Sequence, residues 1–210
     1  KACLKIVESL KNRGIKCDFK VKVKLNNDKS SKIIDKINPI NSENRKKRFN
    51  RIISKIAGKN VKSFQSPSLF SSRYYKEINE SNYDIIHLVW INELLSIEDI
   101  GKITKPIVWT FADMWPFTGI NHYDEDNHKA FWRKKNFKKF RQKNIFNFDK
   151  FILNRKINSW NIQNLNIVTP SKWLKSCAEN SFIFSKKKIN YIPWPIDTKI
   201  YKFKSKFISR

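Results

Sequence analysis

Cysteines, acidic residues and long apolar runs are all scarce in this chain, and each scarcity closes off a class of protein. Its three cysteines, Cys3, Cys17 and Cys177, are widely spaced and odd in number, which argues against both a disulfide framework and a zinc site. A reducing, cytoplasmic setting is the expectation. The apolar runs are short: Ile85 to Trp90 is interrupted by His87, and nothing approaches the roughly 20 residues that a membrane-crossing helix needs. Lys1 to Arg13 lacks the continuous apolar stretch and the small-residue cleavage site of a signal peptide. No internal repeat is visible.

The 18 acidic residues face 44 lysines and arginines, a formal net charge of +26. Such a balance suits an anionic neighbour, either nucleic acid or an anionic membrane surface. Lysine, asparagine and isoleucine are abundant everywhere, as an AT-rich coding bias also produces, so the charge indicates a partner only where it clusters with aromatics. At 210 residues and 40% hydrophobic composition the chain can build one large domain or two small ones around an ordinary core.

Cys3, Ile6, Val7 and Leu10 follow a helical stripe that Gly14 is placed to stop. Cys17, Phe19, Val21, Val23 and Leu25 then alternate with charged residues, the pattern of a strand with one solvated face. Asn26 to Asn44 reads as a polar loop, Phe49 to Gly58 as a helix, and Lys59 to Ser72 as a Ser-rich connection. From Tyr83 the pattern is regular. It predicts strands at Ile85 to Trp90, Ile107 to Thr110, Leu165 to Thr169 and Ile189 to Ile192, with helices at Ser96 to Ile103, carrying a Ser96, Asp99 capping box, and at Ser171 to Asn180. This alternation implies an α/β fold: a Rossmann-like parallel sheet with helices on both faces.

The sharpest local signal is Ile107 to Tyr123, IVWTFADMWPFTGINHY, where a buried strand breaks into a loop bearing Asp113, Trp115, Pro116, Gly119 and His122. In open parallel sheets ligands bind at the carboxyl ends of the strands. The rival reading is an aromatic loop that caps the core.

These segments, together with Tyr83 to Asn92, Lys105 to Thr110, Asp113 to Gly119, His122-Tyr123, Asn166 to Leu174 and Ile192-Pro193 followed by Pro195 to Thr198, resemble the amino-terminal domain of family 4 glycosyltransferases of the GT-B fold. The resemblance covers nearly the whole chain and is densest from Tyr83 onward. It implies one half of a two-domain enzyme that transfers a sugar from a nucleotide-sugar donor with retention, without a metal or other cofactor, to a glycan or lipid-linked acceptor in cell-surface polysaccharide assembly. Residues 1–196 correspond to the acceptor-side domain, incomplete at its start because the first strand and its glycine-rich loop are absent, and residues 197–210 to the start of a linker. The nucleotide-sugar domain is not in the sequence, so this piece alone is expected to be inactive. An intrinsically basic nucleic-acid-binding protein is the alternative from another class.

The resemblance and the chemistry of the side chains nominate Asp113 and His122 as catalytic, Trp90, Asn92, Trp115, Thr118 and Tyr123 as acceptor-binding, and Ser171 and Lys172 as phosphate-proximal. A Trp face can stack a sugar ring, and Asn both donates to and accepts from hydroxyls. Each has an ordinary counterpart: a loop-capping carboxylate for Asp113, a hydrogen-bonded core histidine for His122, and a helix N-cap for Ser171. Many relatives carry His immediately before the Asp, where this chain has Ala112; they carry Pro-Asn-Pro where it has Pro193-Trp194-Pro195. Between Asp124 and Trp160, runs such as Phe131-Trp132-Arg133-Lys134-Lys135 interleave aromatics with cations, suited to peripheral contact with anionic membrane or to single-stranded nucleic acid. The competing reading is a helical excursion whose aromatics pack on the sheet.

Overall fold

Alternating apolar residues become strands here wherever a neighbouring strand completes their hydrogen bonding. The computed structural model describes residues 2–21, 31–33, 64–91, 94–124, 129–142, 147–198 and 201. Contacts divide the chain into two compact units, Lys1–Ile33 with Pro193–Arg210, and Ile34–Ile192.

In the first unit the predicted amphipathic helix is α1 (Ala2–Lys11) with Val7 buried, and Gly14 follows it at φ 76°, the left-handed geometry of a helix stop. The alternating segment forms β1 (Phe19–Val21); its expected continuation through residue 25 lies outside the described residues. β1 pairs in parallel with β2 (Ser31–Ile33), Phe19 opposite Ser31. That strand falls inside the stretch the sequence presents as a polar loop. Ser-Lys-Ile has little strand character by itself, and pairing with β1 supplies what composition does not reveal. The helix expected over Phe49 to Gly58 also lies outside the described residues.

The second unit carries an all-parallel sheet in the order β3 (Ile86–Val89), β4 (Ile107–Thr110), β5 (Leu165–Thr169) and β6 (Ile189–Tyr191). Register runs Ile86 opposite Ile107 and Ile107 opposite Leu165. Before β3 lies α2 (Tyr74–Glu80); α3 (Ile97–Gly101) joins β3 to β4; a 3-10 turn (Trp115–Phe117), α4 (Lys134–Gln142) and α5 (Phe148–Ser159) join β4 to β5; α6 (Lys172–Asn180) joins β5 to β6. The fold is α/β and Rossmann-like, a parallel sheet flanked by helices. Right-handed crossovers between strands in sequential order place their helices on one face. Burial agrees: Leu88, Ile107, Trp109, Leu165, Ile167 and Ile189 are buried, while Val108 and Val168 are half-buried and Asn166 is exposed.

Local rules place most of these boundaries. Ser96 and Asp99 form the predicted reciprocal capping box, each side chain bonded to the other's backbone N–H. The Asp99 carboxylate also accepts from the Ser71 hydroxyl at 2.5 Å and the Ser72 N–H at 3.0 Å, so a buried acid anchors the Ser-rich connection. Helix α2 has no such signal. It is seven residues long, begins after Arg73 at φ 59° without a side-chain cap, and is held by burial of Tyr74 and Ile78.

The core is aromatic. Trp109 meets Trp160 with ring centroids 5.0 Å apart, Phe111 meets Phe184 at 5.2 Å, and Phe117 meets Trp132 at 5.3 Å. Trp132 and Phe137, from the basic insertion, are fully buried, so these two aromatics belong to the core, as the helical-excursion reading expects. Lys134, Lys135 and Lys138 remain exposed. Among the described residues no helix is long and apolar enough to cross a membrane.

Gly101 lets α3 approach α5 closely: a Cβ there would overlap the Ser159 carbonyl. Gly101→Ala is expected to cost about 1–3 kcal/mol, the usual range for overpacking; an unchanged urea midpoint would contradict that close approach. His87, on β3, hydrogen-bonds Thr110 Oγ1 through Nε2 at 2.8 Å, and partial burial of its ring lowers its pKa from 6.5. As pH falls through 6.5 the unfolded chain takes up this proton first, so stability drops until the folded-state pKa is passed. His87→Gln should therefore make stability less sensitive to acid between pH of about 7 and 5, read from urea melts; an identical slope in both proteins would remove His87 as a source.

Candidate functional site

Four parallel strands deliver their carboxyl ends to the same edge. Trp90 follows β3, the loop Phe111 to Tyr123 follows β4, and Pro170 to Lys172 follow β5. A loop there must satisfy its own backbone polar groups, and the β4 loop does so by enclosing three charged side chains.

The first is Asp113. Its Oδ1 accepts from the Trp115 N–H at 3.0 Å, capping the 3-10 turn, and its Oδ2 lies 2.6 Å from His122 Nδ1. The other histidine nitrogen, Nε2, lies 2.7 Å from Ser66 Oγ. A carboxylate can only accept, so Nδ1 carries the hydrogen it shares with Asp113, and the Ser66 hydroxyl, able both to donate and to accept, pairs with Nε2. Asp113, His122 and Ser66 are 7%, 4% and 1% exposed. Around them, Met114 N–H donates to the His122 carbonyl, Ser66 N–H to the Ile120 carbonyl, and His122 N–H to the Phe64 carbonyl. The Trp115 indole N–H donates to the Ser66 carbonyl at 2.6 Å.

The second is Lys156, from α5. Its Nζ donates to the carbonyls of Trp115 at 2.5 Å, Gly119 at 2.7 Å and Thr118 at 3.2 Å, and sits 3.9 Å from the centre of the Trp115 ring. Burial pushes its pKa well below the ordinary lysine value, opposed by the charges of Asp149 and Asp113. Asp149 is the third. Burial raises its pKa, while the Ile120 N–H, donating to Oδ1 at 2.8 Å, and Lys156 pull it down. Gly119 lies directly against Asp149, and any Cβ there would overlap it. That contact explains the glycine at this position.

Above this network lies an exposed aromatic surface. Trp90 and Phe64 are 60% and 58% exposed, with ring centroids 6.5 Å apart and planes at 47°. Both contact the buried His122 ring, Phe64 at 4.9 Å and Trp90 edge-on at 6.4 Å. Trp90 holds a left-handed backbone at φ 37°, a conformation that costs a non-glycine residue about 1–3 kcal/mol and concentrates at functional sites.

The structure thus brings Asp113, His122, Trp115 and Trp90 into one contiguous cluster. Tyr123, next in the chain, is exposed. Trp115 and Thr118, expected to touch an acceptor, are buried instead, and the Thr118 hydroxyl donates to the Asn121 carbonyl at 2.5 Å. They shape the surface from behind. Ser171 caps α6, its Oγ accepting from the Leu174 N–H at 3.1 Å, and Lys172 is exposed on the first turn. Asn92 lies outside the described residues. Ser66, Phe64, Asp149 and Lys156 are members that sequence reading missed. Ser66 is one serine among several in its segment and Lys156 one cation among 44, so neither carried a local signal.

Chemically, the Ser66, His122, Asp113 chain has the connectivity of a nucleophile triad. Ser66 is buried, however, and its N–H and carbonyl are both spent on the loop. The arrangement orients groups; it does not present a nucleophile. Among the described residues no group of three or more His, Cys, Asp or Glu side chains could hold a metal ion. Comparison with protein-family models, with curated proteins and with solved structures finds no match.

Asp113→Asn tests the network. The amide must either face His122 Nδ1–H with its own hydrogens or surrender the Trp115 cap, so a loss of about 1–3 kcal/mol is expected. Histidine 15N spectra should show the hydrogen leaving Nδ1. Unchanged stability together with unchanged nitrogen shifts would contradict the assigned chain.

Proposed function

We propose that this chain supplies the acceptor-side wall of a glycosyltransferase, one half of a GT-B enzyme that passes a sugar from a nucleotide-sugar donor to a glycan or lipid-linked acceptor with retention, in cell-surface polysaccharide assembly. The observation that carries the reading is the exposed Trp90 and Phe64 pair at the strand ends, resting on the buried His122 ring. Two aromatic faces held at an angle suit the apolar face of a sugar ring, and the strained backbone at Trp90 fits a side chain held for binding. The motif resemblance gives that surface its substrate class.

In this reading Trp90 and Phe64 touch the acceptor, with Tyr123 beside His122 in the chain. Asp113 and His122 act through them, as positioning residues. Both histidine nitrogens are engaged, which supports a positioning role over direct removal of a proton from an acceptor hydroxyl. With Ala112 in place of the histidine that many relatives carry, the chemistry falls to groups outside this loop. The donor is bound mainly by a second domain, in the cytoplasm, and no metal is required. Exposed Lys134, Lys135 and Lys138 on α4 add attraction for anionic headgroups where a lipid-linked acceptor resides. The burial of Trp132 and Phe137 removes two of the aromatics that a base-stacking, single-stranded nucleic-acid surface would use.

The test is sugar transfer by the full-length gene product, using a panel of nucleotide-sugar donors and of glycan and lipid-linked acceptors. Trp90→Ala should raise the acceptor KM at least about tenfold, corresponding to roughly 1.4 kcal/mol, and leave the donor KM unchanged. Failure to transfer or hydrolyse any donor, with salt-dependent nucleic-acid binding in its place, would overturn the reading in favour of the basic binding protein.

A further inference from the structure

The carbonyls of Trp115, Thr118 and Gly119 converge on one point inside the protein, and the open face of the Trp115 ring borders the same point. Three convergent carbonyl oxygens with an aromatic face form a site for a monovalent cation. The occupant is a side chain from another element: Lys156, fully buried on α5. Three acceptors take three hydrogens, which an ammonium has and a neutral amine lacks. Burial works against the charged form and lowers the Lys156 pKa, while the carboxylates of Asp149 and Asp113 work for it; the three acceptors favour the ammonium. No acceptor in the cradle is left for a guest to satisfy, so the site is complete with the lysine in place.

We propose that the loop after β4 is folded around an internal cation site, that the Lys156 ammonium is its tethered occupant, and that with the tether cut the site accepts a small primary alkylammonium from solution. The inference stands on the loop's geometry and does not depend on the glycosyltransferase reading. Replacing lysine by alanine removes three carbons and the ammonium, the outline of n-propylammonium. Engineered interior cavities take up small solutes of matching shape and polarity. The cation closes residues 115–119 into a turn, and that turn presses Trp115 against His122, whose rings stack 6.2 Å apart at 20°. Removing the charge therefore reaches the exposed aromatic pair through His122.

Three measurements test this. In the unaltered protein, lysine 15N spectra should contain one slowly exchanging –NH3+ signal that disappears in Lys156→Met; a neutral-amine signal for Lys156 overturns the proposal. Lys156→Met, which keeps most of the volume without the charge, and Lys156→Ala should each lower Tm by about 10 °C. A Met variant as stable as the parent overturns it, because an apolar filler would then serve as well. For Lys156→Ala, n-propylammonium chloride at about ten times its Kd should restore about 4 °C and return the Trp115 indole N–H signal to its parental position. Sodium chloride at equal ionic strength and n-propanol, of matching shape without charge, should restore neither. Equal rescue by propanol, or no rescue by the ammonium, overturns the proposal. None of these readouts involves sugar transfer, so the two proposals fail separately.

Discussion

A buried ammonium is stable only where enough oxygens surround it, and the loop after β4 takes its shape from that requirement. Lys156 draws the carbonyls of Trp115, Thr118 and Gly119 to one point. With those three carbonyls turned inward, the Trp115 N–H points at Asp113 and its indole N–H at Ser66. His122 is then trapped between Asp113 and Ser66. Each contact satisfies a group that burial would otherwise penalise by about 1–3 kcal/mol. The loop is held by hydrogen bonds from both ends and from α5.

That network reaches the surface through a ring. His122 is almost wholly covered, yet its imidazole is the floor on which Phe64 and Trp90 stand. With both ring nitrogens engaged, the imidazole is a flat support of fixed orientation. The polar chain from Asp113 to Ser66 therefore has a mechanical consequence at an apolar surface. The sheet supplies the location, since its parallel strands all finish at this edge, and the interior cation supplies the precision.

The basic character of the chain divides along the same line. Lys156 is fully interior and is paired with carbonyls, while Lys134, Lys135 and Lys138 of α4 remain at the surface. Interior charge of this kind specifies a conformation, whereas exposed charge acts on neighbours over about 10 Å and weakens with salt. Trp132 and Phe137, which in the sequence seem to belong with those surface cations, pack inward against Phe117 and Phe182. The insertion contributes aromatic mass to the core and positive charge to the solvent.

Local rules are sufficient for much of this architecture. The strands at Ile107–Thr110 and Leu165–Thr169, the capping box at Ser96 and Asp99, and the cap at Ser171 coincide with their predicted positions, because each depends on neighbours within a few residues. Asp113 and His122 are also visible in the sequence, as a break in an apolar pattern at a strand end, and Trp90 as an aromatic at the end of the strand before it. Helix α2 and strand β2 are not, because burial and partner pairing override their weak propensities. Ser66 lies 56 residues from His122, and Lys156 lies 37 from Gly119. Hydrogen bonds across such separations leave no periodic trace, and the sequence by itself determined only which strand end bears the candidate site. Only the tertiary structure decided that Trp115 and Thr118 face inward, that Phe64 joins Trp90 outside, and that a lysine stands where the loop needs a cation. The physical reason is that a side chain's burial and partners are set by what the rest of the chain brings to it.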